Sequence, residues 1–159
     1  MRHSRQKGFT LLELVVVLVV IALAMAVTYP SLSRGTAALH LRSVGRDVLN
    51  SLRYARERAI TEQTVMRVTV SKEERKITLT DDYGEGARTL LLPDDVRIQS
   101  LVVAGQEVQG GPLIVRFLPN GSASEAEILL QSATGGALRI IADGITGGAR
   151  VVVEQRGGR

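Results

Sequence analysis

The chain has 159 residues, of which 45% are hydrophobic, 3% aromatic and none cysteine, and its formal net charge is +4. Without cysteine there are no disulfides, thiolate metal ligands or cysteine nucleophiles, so any folded part is held by packing and strand pairing. The mild basic excess is not that of a dedicated nucleic-acid binder, and part of it (Arg2, Arg5, Lys7) precedes the long apolar run.

The first element is the run that starts "KGFTLLELVVVLVV" at Lys7. From Leu14 to Ser33 no residue is charged. As a helix, about twenty residues cover ~30 Å, the thickness of a bilayer core. The run is longer than the ~7–15 apolar residues of a secretory signal peptide, although Ala22, Ala24 and Ala26 imitate a cleavage site. Basic residues ahead of it hold the N-terminus on the cytoplasmic side. Glu13 is the anomaly, because an ionised group inside lipid is costly and is usually kept for a function. Pro30 lacks the N–H that a helix needs and disfavours helix at Tyr29, so a helix break is expected there.

A basic leader followed by Gly8-Phe9-Thr10-Leu11-Leu12-Glu13-Leu14 resembles the N-terminus of type IV pilin-like proteins, including the pseudopilins of type II secretion. The resemblance implies a prepilin peptidase cutting between Gly8 and Phe9 and N-methylation of the new Phe9 amine. It also implies a role for Glu13. A carboxylate among packed apolar helices is tolerable when paired, and the Phe9 amine of a neighbouring subunit would pair it and set the axial register. The expected layout is a leader at 1–8, a membrane and filament-core helix at 9–30, an amphipathic continuation at 31–63 and a strand-rich periplasmic domain at 64–159.

In the continuation, Leu41, Val44, Val48, Leu52, Ala55 and Ala59 recur at spacings of three and four. They mark one face of a helix ending near Glu62, with that face on a sheet. Arg42, Arg46, Arg53 and Arg56 mark another face, expected to be solvated or to meet acidic partners or phosphates. Leu49 falls among these arginines as the one exception.

After Gln63 the period changes to two. Met66, Val68 and Val70, a polar turn at 71–74, then Ile77 and Leu79 predict a β-hairpin. Further strands are expected near 89–92, 96–103, 113–118, 126–130, 138–142 and 150–154, with Pro119-Asn120-Gly121 as a turn. The fold class is therefore α+β, with one long N-terminal helix packed on antiparallel sheets. The helix-to-strand passage, Phe117-Leu118-Pro119-Asn120-Gly121-Ser122 and Thr146-Gly147 resemble the GspH/FimT branch of the pilin superfamily. Gly148-Ala149 separate Thr146-Gly147 from Arg150, where that branch often continues directly with a basic residue.

No catalytic constellation is legible. His3 and His40 are the two histidines, and Asp81-Asp82 and Asp94-Asp95 read as solvated turn residues before they read as calcium ligands. The expectation is a non-enzymatic subunit with neither cofactor nor metal. Its partners would be other pseudopilins or pilins, the prepilin peptidase, the inner membrane and exported proteins. The leading function is a minor pseudopilin of type II secretion. The alternative is a FimT-like minor pilin that assists pilus assembly or DNA uptake, with Arg150, Arg156 and Arg159 touching phosphate.

Overall fold

A helix, α1 (Leu11–Glu62), is followed by nine strands: β1 (Met66–Ser71), β2 (Lys76–Asp81), β3 (Arg88–Leu91), β4 (Val96–Val103), β5 (Gln106–Glu107), β6 (Leu113–Phe117), β7 (Ala126–Ser132), β8 (Ala137–Ala142) and β9 (Ala149–Glu154). The computed structural model describes the backbone of residues 10–154 and the side chains of residues 10–25 and 36–153. The chain divides into two units, one ending at Thr36 and the other beginning at Ala37.

In the first unit the side chains from Leu11 to Met25 are exposed on every side of the helix. A helix that is apolar all round has no solvated face and requires a non-aqueous surrounding. Among the described residues no helix is long and apolar enough to cross a membrane. Leu11 to Met25 cover only ~22 Å at ~1.5 Å per residue, and the apolar run of the sequence goes on beyond them. The expected break at Pro30 does not end the element, since α1 is assigned as one helix from Leu11 to Glu62. A proline removes one ladder bond and adds a local clash, while the turns before and after it keep their own bonds.

In the second unit the apolar face of α1 behaves as its spacing dictates. Leu41, Val44, Val48, Leu52, Ala55 and Ala59 are all buried. They join one core with Met66, Val68 and Val70 of β1, Ile77 and Leu79 of β2, Val115 and Phe117 of β6, and the inward residues of β4, β7 and β8. The helix approaches β8 closely at Gly45, where a methyl group would press on Leu138 Cδ2 at 2.9 Å. Leu49 is a correction to the sequence reading, because it is only 9% exposed. It sits ~60° around the helix from Leu52 at ~100° per residue, so it belongs to the rim of the core face.

The strands form two antiparallel sheets, in the orders β3-β2-β1-β6 and β5-β4-β7-β8-β9. The β1–β2 hairpin pairs Met66 with Asp81 and Ser71 with Lys76, keeping Val68, Val70, Ile77 and Leu79 on one face. That register follows from alternation, since a one-residue slip would turn every one of them to the other face. The short β5 had no sequence signal. It is two residues long, after a tight turn at Ala104-Gly105 with positive φ at both positions.

Candidate functional site

At the head of α1, Thr10 Oγ1 accepts the Glu13 backbone N–H at 3.2 Å, and Leu14 N–H donates to Thr10 O at 3.2 Å. Thr10 is thus the N-cap and Glu13 the third helical residue, the Thr-x-x-Glu arrangement of a capping box. Glu13 lies in the first turn and is exposed, where the helix dipole favours negative charge. The Thr-x-x-Glu spacing is itself the sequence signal of this cap, and the charge of Glu13 is a separate feature of the same residue. Gly8, Phe9, Arg156 and Arg159 lie outside the described residues, as does the Pro30 side chain.

At the other end of α1, two loops that the sequence separates are pinned together. One is the turn after β6. There Gly121 N–H donates to Leu118 O at 2.9 Å, and Asn120 Oδ1 accepts from Ser122 N–H at 3.1 Å. The other loop joins β8 to β9. Asp143 Oδ1 accepts from Ile145 N–H at 3.1 Å, Thr146 N–H at 2.7 Å and the Thr146 hydroxyl at 2.8 Å. The backbone bond from Thr146, then its hydroxyl, and more weakly Ile145 and the charge of Arg150 hold the Asp143 carboxyl below its ordinary value of 3.8.

The loops touch where Gly147 meets Gly121. Gly147 has a φ of 62°, and a Cβ there would overlap the Gly121 carbonyl oxygen. Only glycine allows both the left-handed backbone and this approach. Arg56 seals the joint. Its Nε–H is shared between Gly121 O at 3.1 Å and Thr146 O at 2.9 Å. This corrects the expectation that all four helix arginines form one solvated or partner-facing row. Arg42, Arg46 and Arg53 are exposed, but Arg56 is half-buried and binds backbone of its own chain. No sequence signal marked it, since its partners lie 65 and 90 residues away.

The remaining candidates are engaged within the chain. Asp81 Oδ1 accepts from Tyr83 N–H and Glu85 N–H, and Asp82 pairs with Arg67. Asp94 pairs with Arg75 at 2.6 Å, and Asp95 with His40 Nδ1 at 2.7 Å. Among the described residues no three acidic or histidine side chains gather as a metal set. Arg150 is exposed on β9. A groove of about 500 Å³ runs between α1 and the edge strand β3, with the Arg88 guanidinium 5.4 Å from the centre of the Tyr54 ring. Its lining of Asp47, Asn50, Ser51 and Thr89 holds neither histidine nor lysine, so no nucleophile–base pair is formed there.

Residues 3–29 match the prokaryotic N-terminal methylation motif, and residues 45–157 match the family described as type II transport protein GspH. Type II secretion system protein H of Xanthomonas campestris pv. campestris is 34% identical over 70 residues. That match covers 44% of this chain and 41% of the relative, less than half of either. Two solved structures share the fold. Both are of the minor pseudopilin EpsH from the type 2 secretion system of Vibrio cholerae. They have TM-scores of 0.61 and 0.60 at 12% identity, covering 75% of this chain and 99% and 97% of theirs.

Proposed function

The chain belongs to the GspH family of type II transport proteins, and from this we propose that it is a minor pseudopilin, a structural subunit of the filament that drives folded proteins across the outer membrane. The prepilin peptidase cuts between Gly8 and Phe9, and Phe9 becomes the methylated amine. Residues 9–30 hold the chain in the inner membrane, with the later residues in the periplasm. Related subunits then draw it into the filament, where Glu13 pairs a neighbour's Phe9 amine.

The observation that carries this reading is the head of α1. A capped helix that is apolar all round presents one exposed carboxylate in its first turn. Such a carboxylate is costly in lipid and gains from a cationic partner among packed helices. The cap fixes the turn from which it projects. In the second unit Arg56 and Asp143 are committed to holding the two loops in place, which leaves them a structural role.

The test separates secretion from DNA uptake. The triple variant Arg150→Ala, Arg156→Ala, Arg159→Ala should leave export intact. Any binding of duplex DNA should be weak and largely lost by about 0.2 M salt, as a few phosphate contacts require. Tight binding at physiological salt that the triple variant abolishes, together with lost transformation, would overturn the secretion reading in favour of a DNA-uptake pilin.

A further inference from the structure

We propose that Arg42, Arg46 and Arg53, with the groove beside the open edge of β9, form the docking face for a carboxylate-bearing helix of a different filament subunit. The inference rests on the pseudopilin reading and adds the surface and the chemistry of the partner. At ~100° per residue the three arginines fall within ~40° of one another, over ~16 Å of helix. Each is exposed, and among the described residues none makes an ion pair, whereas Arg58, Arg75 and Arg139 are each paired with a carboxylate. Asp47 and Glu57, the acids on this part of α1, are also unpaired among the described residues; Asp47 lies ~100° from the stripe's edge, while Glu57 borders it, ~20° from its edge and one turn after Arg53. Three arginines against the one neighbouring carboxylate leave the stripe an excess of positive charge on a helix packed on the core.

Two further features make this a docking surface rather than a solvated face. Leu39, 65% exposed, lies at the head of the stripe, ~60° around from Arg42, and offers an apolar contact among the cations. At the far end the stripe borders a groove of about 510 Å³, lined by Arg53, Arg56, Glu57, Ile60 and Thr61 on the helix side and Gly147, Gly148 and Ala149 on the other. Ala149 opens β9, which among the described residues pairs with β8 alone, and Val153 further along that strand is 54% exposed. A strand edge that has no partner among the described residues offers backbone hydrogen bonds, and its first residue, Ala149, lines the groove with the helix cations.

Charge complementarity selects the occupant. A second copy docking through the same face would oppose arginine to arginine. Carboxylates spaced three, four or seven residues apart on a partner helix match the stripe and accept the two-pronged guanidinium bond. Exposed pairs of this kind are individually weak, so the stripe sets partner choice and register more than affinity.

The chain's only lysines are Lys7, Lys72 and Lys76, which permits a zero-length test in the full chain within native membranes. Arg46→Lys, and separately Arg53→Lys, keeps the charge and supplies an amine. A water-soluble carbodiimide then activates a touching carboxylate, the amine attacks it to form an amide, and the carbodiimide leaves as its urea. The expected result is an amide from position 46 or 53 to an Asp or Glu on the helix of another pilin-like subunit, located by peptide mass. It should be lost when Arg42→Glu is added to either lysine variant. Amides only within the chain, amides to a second copy, coupling that survives Arg42→Glu, or no coupling each overturn the proposal. The same holds if the stripe binds anionic vesicles without any subunit adduct. Export restored to a deletion strain by the wild-type chain reads the pseudopilin function separately. Restored export without the adduct sinks the docking face alone, and failure to restore export sinks both.

Discussion

Replacing Arg56 by Met keeps the apolar stem and removes the guanidinium that holds two loops to α1. The Nε–H lies 3.1 Å from Gly121 O and 2.9 Å from Thr146 O, so one charged donor serves two acceptors. A hydrogen bond to a charged group contributes ~1.5–3 kcal/mol. The joint is half-buried and water can replace part of the donor, so the expected loss is ~1–2 kcal/mol. With a urea slope of ~1–3 kcal/mol per molar, the unfolding midpoint should fall by about 0.5–1 M with the slope unchanged. The assay is urea unfolding of the detergent-held chain by circular dichroism, with Arg53→Met as the comparison. Arg53 is exposed and makes no ion pair among the described residues, so its replacement should stay within ~0.5 kcal/mol. Equal midpoints for the two variants, or an Arg56→Met midpoint at the wild-type value, would refute the reasoning.

Gly147→Ala should be worse, by about 2–4 kcal/mol, because it adds left-handed strain and drives a Cβ into the Gly121 carbonyl; the same unfolding assay reads it. Asp143 predicts an acid limb. Its folded pKa is depressed, so its contribution is full above its unfolded pKa and is lost as pH falls through the lower folded value. The urea midpoint should therefore drop more steeply below about pH 4 for wild type than for Asp143→Ala, which should start lower and lose less. Glu13→Ala should insert into membranes at normal levels yet crosslink poorly to other pilin-like subunits, and unchanged crosslinking would show that Glu13 only borders the headgroups.

The periodic parts of the fold were legible because burial repeats at a fixed spacing. The face from Leu41 to Ala59, the hairpin at Met66–Asp81 and β4, β6, β7, β8 and β9 all lie where three-four or alternating patterns put them. Leu49 was misplaced because the core face is wider than its central stripe and takes in a residue on the rim. Pro30 carries the chemistry of a helix break, yet α1 is assigned as one element through it, because a proline removes one ladder bond and not the turns on either side. β5 is too short to show alternation. At the site, Thr10-x-x-Glu13 was readable locally, and so were both turn motifs. Their union was not. That Gly147 rests on Gly121 and that Arg56 spans both depends on contacts between residues 56, 121 and 147. Nothing in the local pattern of any one of them points to the others.

The central claim, that this chain is processed and used as a pseudopilin, is tested most directly by the intact mass of the protein extracted from its own membranes. The account predicts a chain that starts at Phe9, without Met1 to Gly8 and with one added methyl group on the Phe9 amine. A mature N-terminus at Met1, or one created after Ala26, would contradict it.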